Sequence, residues 1–248
     1  MHRNVVGANF KFPINTSASG DAGHYLAKTV DHTATSTYSL PMSDVVERTV
    51  TLSEGLRDFW SASHGWAPSD AADLLTRSRL DWQVSLCRSL HRWVDVPDSK
   101  DESAVQILGY ANIGSLVEGT LKLFLGVFYN DYKSDADAIT RRGSIRDPDG
   151  LTFEPLRQFF KRRIWGDVPS DDWDPWIQRM QSRRNAIHAF KDREIGTHDE
   201  LLTDICHYLV FVRRINGQLP YPDEWPSPVE CHEPLFRTYA WETNAPSV

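Results

Sequence analysis

Apolar residues recur at helical spacing through most of the chain. From about Asp44 to His64, the positions Val45, Val46, Val50, Leu52, Leu56, Phe59 and Trp60 mark one buried helix face, which Gly65-Trp66-Ala67-Pro68 ends. A second pattern, from about Ser69 to Val94, carries Leu74, Leu75, Leu80, Trp82, Val84, Leu86, Leu90 and Trp93 and closes at Pro97. The third, about Asp101 to Tyr132, is apolar on most sides, so it predicts a helix in the middle of a bundle. Gly109, Gly114, Gly119 and Gly126 within it lower helix propensity but let neighbouring backbones come close. Glu118 and Lys122 stand four apart inside this apolar stretch, an arrangement that suits a buried ion pair and argues against a membrane span.

Residues 133–150 are polar and charged and read as a loop, the one stretch suited to a hinge or disorder. A short helix follows at about Phe153 to Ile164. A fifth runs from about Asp171 to Glu194, with Asp171 and Asp172 at its positive end and Gly196 as its stop. A sixth ends at Gly217. Asp44 with Glu47, Ser99 with Glu102 and Thr197 with Glu200 all have capping-box spacing. The expected fold is all-α, a helical domain over 43–217. It lies between an N-terminal arm at 1–42, read as a small hairpin from pieces such as Asn4–Phe12 and Thr35–Leu40, and a proline-rich wrapping tail at 218–248.

Composition supports a folded core: 40% of the 248 residues are hydrophobic, among them nine Trp and eleven Phe. The net charge of −7 disfavours indiscriminate binding to nucleic acid. It is unevenly spread. From Arg141 to Arg193 there are 12 Lys or Arg against 8 Asp or Glu, a balance of +4, which leaves −11 for the rest. Three cysteines form no disulfide framework, and Met1 to Asn15 holds no apolar run of signal-peptide length, so a reducing cytoplasm is expected.

The fifth helix carries the candidate chemistry. With Met180 set at zero and about 100° per residue, Trp173, Trp176, Ile177, Ile187 and Phe190 join Met180 in one apolar stripe. Arg184, Asn185, His188 and Asp192 form a polar strip along one border, and Arg183 lies at the other. Arg offers a fixed fork of donors that matches a phosphate. His moves a proton near neutral pH. Together they suit metal-free cleavage of a phosphodiester, with Asn185 or Asp192 orienting the ring. The same residues at a stripe edge also commonly snorkel or cap a neighbouring helix.

The run Ser182-Arg183-Arg184-Asn185-Ala186-Ile187-His188-Ala189-Phe190 resembles the signature of the HEPN superfamily (higher eukaryotes and prokaryotes nucleotide-binding): an Arg, four to six residues, then a His, often with a polar residue after the Arg. Arg183 and His188 have four residues between them; Arg184-Asn185 supplies the Arg-Asn pair, with only three residues before His188. Both arginines therefore stay candidates. The segment Gly114–Tyr132, with Glu118, looks like the earlier long helix of such bundles. The resemblance covers roughly 43–217. It implies a helical bundle and a metal-independent endoribonuclease of toxin or anti-phage type, working as a homodimer whose two motif helices share a cleft. An antitoxin or defence-system protein would be its partner. It equally allows a non-catalytic module that dimerises or docks a partner.

Arg157, Lys161, Arg162 and Arg163 read either as a solvated face or as a track for the RNA backbone. Glu118 is a further candidate for orienting His188. Cys87 with His91, Cys206-His207 and Cys231-His232 give no four-ligand set at zinc spacing, so no metal and no cofactor are expected.

Overall fold

The computed structural model describes residues 37–165, 173–188, 190–222 and 227–228. They form eight α-helices: α1 (Met42–Trp60), α2 (Ser69–Arg77), α3 (Leu80–Ser89), α4 (Glu102–Val127), α5 (Tyr129–Ser134), α6 (Phe153–Phe160), α7 (Asp174–Arg184) and α8 (His198–Asn216). Short 3₁₀ turns follow α3 and α7, and a π turn, Lys161–Trp165, follows α6. Strand among the described residues is confined to a two-residue hairpin that pairs Thr140 with Ile145 and Arg141 with Ser144. The class is all-α.

α4 is the axis of the bundle. It packs against α7 and α8 on one side and against α2 and α3 on the other, while α1 packs on α3 and α8. Its buried residues, from Gln106 and Tyr110 through Leu116, Leu121 and Phe124 to Val127, face several directions, as expected of a helix surrounded by others. Full burial of each large side chain here stabilises by about 1.5–3 kcal/mol. No described helix is long and apolar enough to cross a membrane.

Local chemistry shifts several boundaries. The Thr197 box is realised: Glu200 N–H donates to Thr197 Oγ1 at 3.2 Å and Thr197 N–H donates to Glu200 Oε2 at 2.8 Å. The other two boxes are not. α1 starts at Met42 after Pro41, so Asp44 falls in the first turn, and α4 starts after Asp101 with no side-chain cap. The second predicted helix is two. Ser78 Oγ–H donates to the Leu74 carbonyl at 2.8 Å, Ser78 turns extended, and α2 stops. Trp82, expected in the core, is 57% exposed beneath the Arg79 guanidinium, 4.0 Å from its ring centre. The third helix ends at Val127, where Phe128 leaves helical geometry.

The 133–150 segment carries a turn, the two-residue hairpin and a 3₁₀ turn rather than an irregular loop. The Tyr132 hydroxyl, itself buried, gathers the carbonyls of Arg146 (2.9 Å) and Ile139 (3.4 Å) and accepts from Ile139 N–H at 3.2 Å, tying both hairpin ends to α5. The proposed arm and tail lie mostly outside the described residues. Thr37 to Leu40 forms a helical turn, not a strand, with Leu40 N–H on the Thr37 carbonyl at 3.2 Å. At the other end Tyr221 packs on Phe59 and Trp60.

Candidate functional site

α7 is placed by charge at its start and by a missing side chain at its middle. Asp174, 4% exposed, receives Arg157 and, at 2.9 Å, Lys161 from α6 and its π turn. Further along, α7 lies against Gly114 of α4. A Cβ at Gly114 would stand 2.7 Å from Arg184 Cβ, so only glycine lets the Arg184 stem lie there. Laid across Gly114, Arg184 carries its guanidinium to Glu118, with Phe153 of α6 beside it at 5.6 Å. The other carboxylate oxygen of Glu118 takes the Lys122 ammonium at 2.8 Å. Glu118 thus faces Arg184 and holds it between two elements. No bond joins it to His188.

Here a cleft of about 470 Å³ opens. Its α7 wall carries Gln181 and Arg184, with Asn185, Ile187 and His188 from the turn that follows. Ser115 and Glu118 come from α4, and Thr152, Phe153 and Glu154 from the start of α6. The structure therefore brings Arg184, Asn185, His188 and Glu118 to one cavity. The side chains of His188 and Asn185 make no hydrogen bond or ion pair with any described residue, which leaves both open to the cleft. Glu154 accepts both Arg157 and Gln158, and the Arg157 guanidinium foremost holds its carboxyl below the usual range.

Arg183 lies elsewhere. It is 2% exposed and turns away from the cleft toward α8 and Tyr110 of α4. Its guanidinium donates to the Tyr110 hydroxyl at 2.6 Å, to Glu194 at 2.5 Å, to Glu200 at 3.0 Å and to Asp204 at 3.4 Å. Asp204, 1% exposed, also receives Trp176 Nε1–H at 2.9 Å and Arg179 at 2.8 Å. Burial first, then this carboxylate, pushes the Tyr110 phenol well above its ordinary range, so it stays protonated as a donor.

The helical reading of the strip fails beyond Arg184. α7 stops there, and Asn185–His188 is a 3₁₀ turn. Helical spacing therefore misplaces the later residues. Ile187 is 48% exposed and Phe190 fully exposed, not in the buried stripe. Asp192 is exposed and lines no part of the cleft, so it does not orient the ring. Asp171 and Asp172 lie outside the described residues.

The basic segment is largely neutralised where it stands. Arg157, 6% exposed, pairs with Glu154 and Asp174; Lys161 pairs with Asp174. Arg163 reaches Asp135 at 2.8 Å, and Arg162 and Arg163 each lie 3.8 Å from Asp137. They tie α6 to α7 and to the turn after α5, and Arg157 is closed to solvent while Lys161 and Arg162 stay half exposed. Gln181 was legible in the sequence, one turn before Arg184 and Asn185 on the same strip. The acidic partners of Arg183 had one signal: Asp204 is a lone charge among Ile205, Cys206, Tyr208 and Leu209.

Cys87 is buried with its thiol 3.0 Å from Ser53 Oγ, and burial pushes it up to about 12, while His91 sits on the 3₁₀ turn with its ring on the Arg88 carbonyl. Among the described residues no three His, Cys, Asp or Glu side chains are grouped to hold a metal. Cys231 and His232 lie outside them. No protein-family model, no curated protein and no solved structure matches this chain.

Proposed function

We propose that the protein is a metal-independent endoribonuclease of HEPN type, a toxin or anti-phage effector, with Arg184 and His188 as its working pair. The observation that carries this reading is that Arg184, Asn185 and His188 line one cleft while Arg183 does not. The Arg184 fork, steadied by Glu118, would hold the non-bridging oxygens of a phosphodiester and offset the charge that grows on them. His188 would take the proton from the 2′-hydroxyl. The 2′-oxygen attacks phosphorus, the bond to the 5′-oxygen breaks, and a 2′,3′-cyclic phosphate and a 5′-hydroxyl result. The leaving oxygen needs a proton from an acid on the opposite side. A second copy of the chain, related by a two-fold axis, would bring its own His188 there. Ile187 and Phe190, exposed beside His188, are the apolar surface available for such a contact. Purified protein incubated with total RNA in EDTA tests the reading: cleavage that stops in His188→Ala supports it, and cleavage that persists ends it.

A second reading has its own observation. Glu118 already neutralises Arg184 in the cleft, and exposed Ile187 lines the same cleft. That combination also suits a non-catalytic module that docks a protein partner, an antitoxin among them. Absence of cleavage together with retained self-association would select it.

A further inference from the structure

Arg183 has four polar partners, and three belong to the folded body: Tyr110 on α4, and Glu200 and Asp204 on α8. The fourth does not. Glu194 lies outside any helix in the segment that returns from His188 to α8, and its side chain is 75% exposed. So open a residue adds nothing to the core. What its bond with Arg183 does is fix where the returning chain runs. Gly196 shows the same closeness from the backbone. Its φ of +71° is a left-handed value, and a Cβ there would stand 2.6 Å from Arg183 Cζ. The return segment is thus drawn down onto the guanidinium plane at two points, Glu194 and Gly196, two positions apart in the chain. On the near side the turn is anchored by Ala186, 7% exposed. Between these anchors stands His188.

A buried ion cluster seldom stabilises more than an apolar core of the same volume; its attested use is to select one geometry. We propose that Arg183 is a positioning residue: it clamps Glu194 and Gly196, and so holds the 3₁₀ turn that presents His188 to the cleft. The importance of His188 rests on the ribonuclease reading above; the clamp itself does not. The arginine that stands at the family's spacing from the histidine then acts through the chain path, and its neighbour Arg184 is the one that meets the cleft. The two roles cannot be exchanged, because Arg183 faces α8 and Arg184 faces Glu118.

The test is made on the full chain with Glu194→Gln, an exposed substitution that leaves Tyr110, Glu200 and Asp204 on Arg183, and with Glu194→Asp as the conservative variant. Amide hydrogen exchange in 185–188 and 190–196 should quicken about tenfold in Glu194→Gln while α4 keeps its protection. On RNA, kcat should fall about tenfold with KM little changed, because a misplaced general base costs rate and not binding. Glu194→Asp should recover most of both. Exchange in these segments that stays at the wild-type rate overturns the clamp, as does raised exchange with kcat unchanged. If the wild-type protein cleaves no RNA, the ribonuclease reading falls, and the exchange comparison alone decides whether Arg183 holds the turn.

Discussion

Arg183 and Arg184, neighbours in the chain, leave α7 on different faces: the first ends in a cluster with Tyr110, Glu200 and Asp204, the second on Glu118 at the edge of a cleft. Successive helix residues are about 100° apart, enough to send one side chain between α4 and α8 and the other between α4 and α6. Charge and length are the same, and the neighbourhood alone separates their roles.

Their alanine variants should therefore fail differently. Arg183→Ala empties the space of a buried guanidinium and takes its bonds from Tyr110, Glu200 and Asp204, although Asp204 keeps Arg179, and should cost about 2–5 kcal/mol of stability in urea unfolding. Arg184→Ala breaks a partly buried pair but leaves Glu118 its Lys122, and should cost about 1–2 kcal/mol. Under the proposed chemistry it should still lower cleavage by about 10²–10³-fold. A folded, stable Arg183→Ala protein would contradict the buried-cluster account.

His188 is exposed and makes no bond to a described residue, so His188→Ala should leave the melting temperature within about 1 °C of wild type. Cleavage in EDTA should drop by about 10²–10⁴-fold, the usual worth of a general acid or base. Circular dichroism melts beside a gel assay on labelled RNA measure both.

Gly114→Ala tests the close approach of α4 and α7. The added methyl meets the Arg184 stem at 2.7 and 2.8 Å, so α7 must shift or Arg184 must leave Glu118. A loss of about 1–3 kcal/mol is expected, against the gain that alanine brings elsewhere in helices. Stability equal to or above wild type would mean the approach is loose.

Acid should weaken the fold through identifiable carboxylates. Arg183 foremost, and then the Thr197 N–H, hold Glu200 below the usual carboxylate range; Arg157 foremost does the same to Glu154. Groups with depressed folded values stabilise above their unfolded pKa, about 4.3 for Glu, and that contribution is lost as pH falls through the folded values. The melting temperature should stay level from neutrality to about pH 5 on this account and decline below about pH 4. Glu200→Gln, which keeps an acceptor for Thr197 N–H, should show a shallower decline over the same range.

Ile187 and Phe190 predict self-association through the turn that carries His188. Sedimentation should show a dimer of the full chain, and Phe190→Asp, which buries a charge in any such contact, should shift it to monomer without unfolding it. A monomeric wild-type protein at micromolar concentration would remove the second histidine from the proposed chemistry.

Much of this architecture was legible in the chain. The near-continuous apolarity of 105–129 determined that α4 would be central, and its glycines marked where neighbours come close. Thr197 and Glu200 determined the start of α8, because a capping box needs only residues three apart. Arg184, Asn185 and Gln181 shared a face by helical spacing alone. What spacing could not decide was where helical spacing stops. α7 ends at Arg184, and Glu194 and Gly196, which meet Arg183 there, come from the segment that returns to α8, beyond the reach of helical spacing. That early stop moved Ile187 and Phe190 to the surface and Asp192 off the strip. The same limit applies to charge. The excess of +4 over 141–193 was countable, but Arg157 and Lys161 pair with Asp174, and Arg163 reaches Asp135 from 28 positions away. Local periodicity follows from backbone geometry and is written in order along the chain. Ion pairing follows from distance in space, and the tertiary structure alone decided which charges remain open.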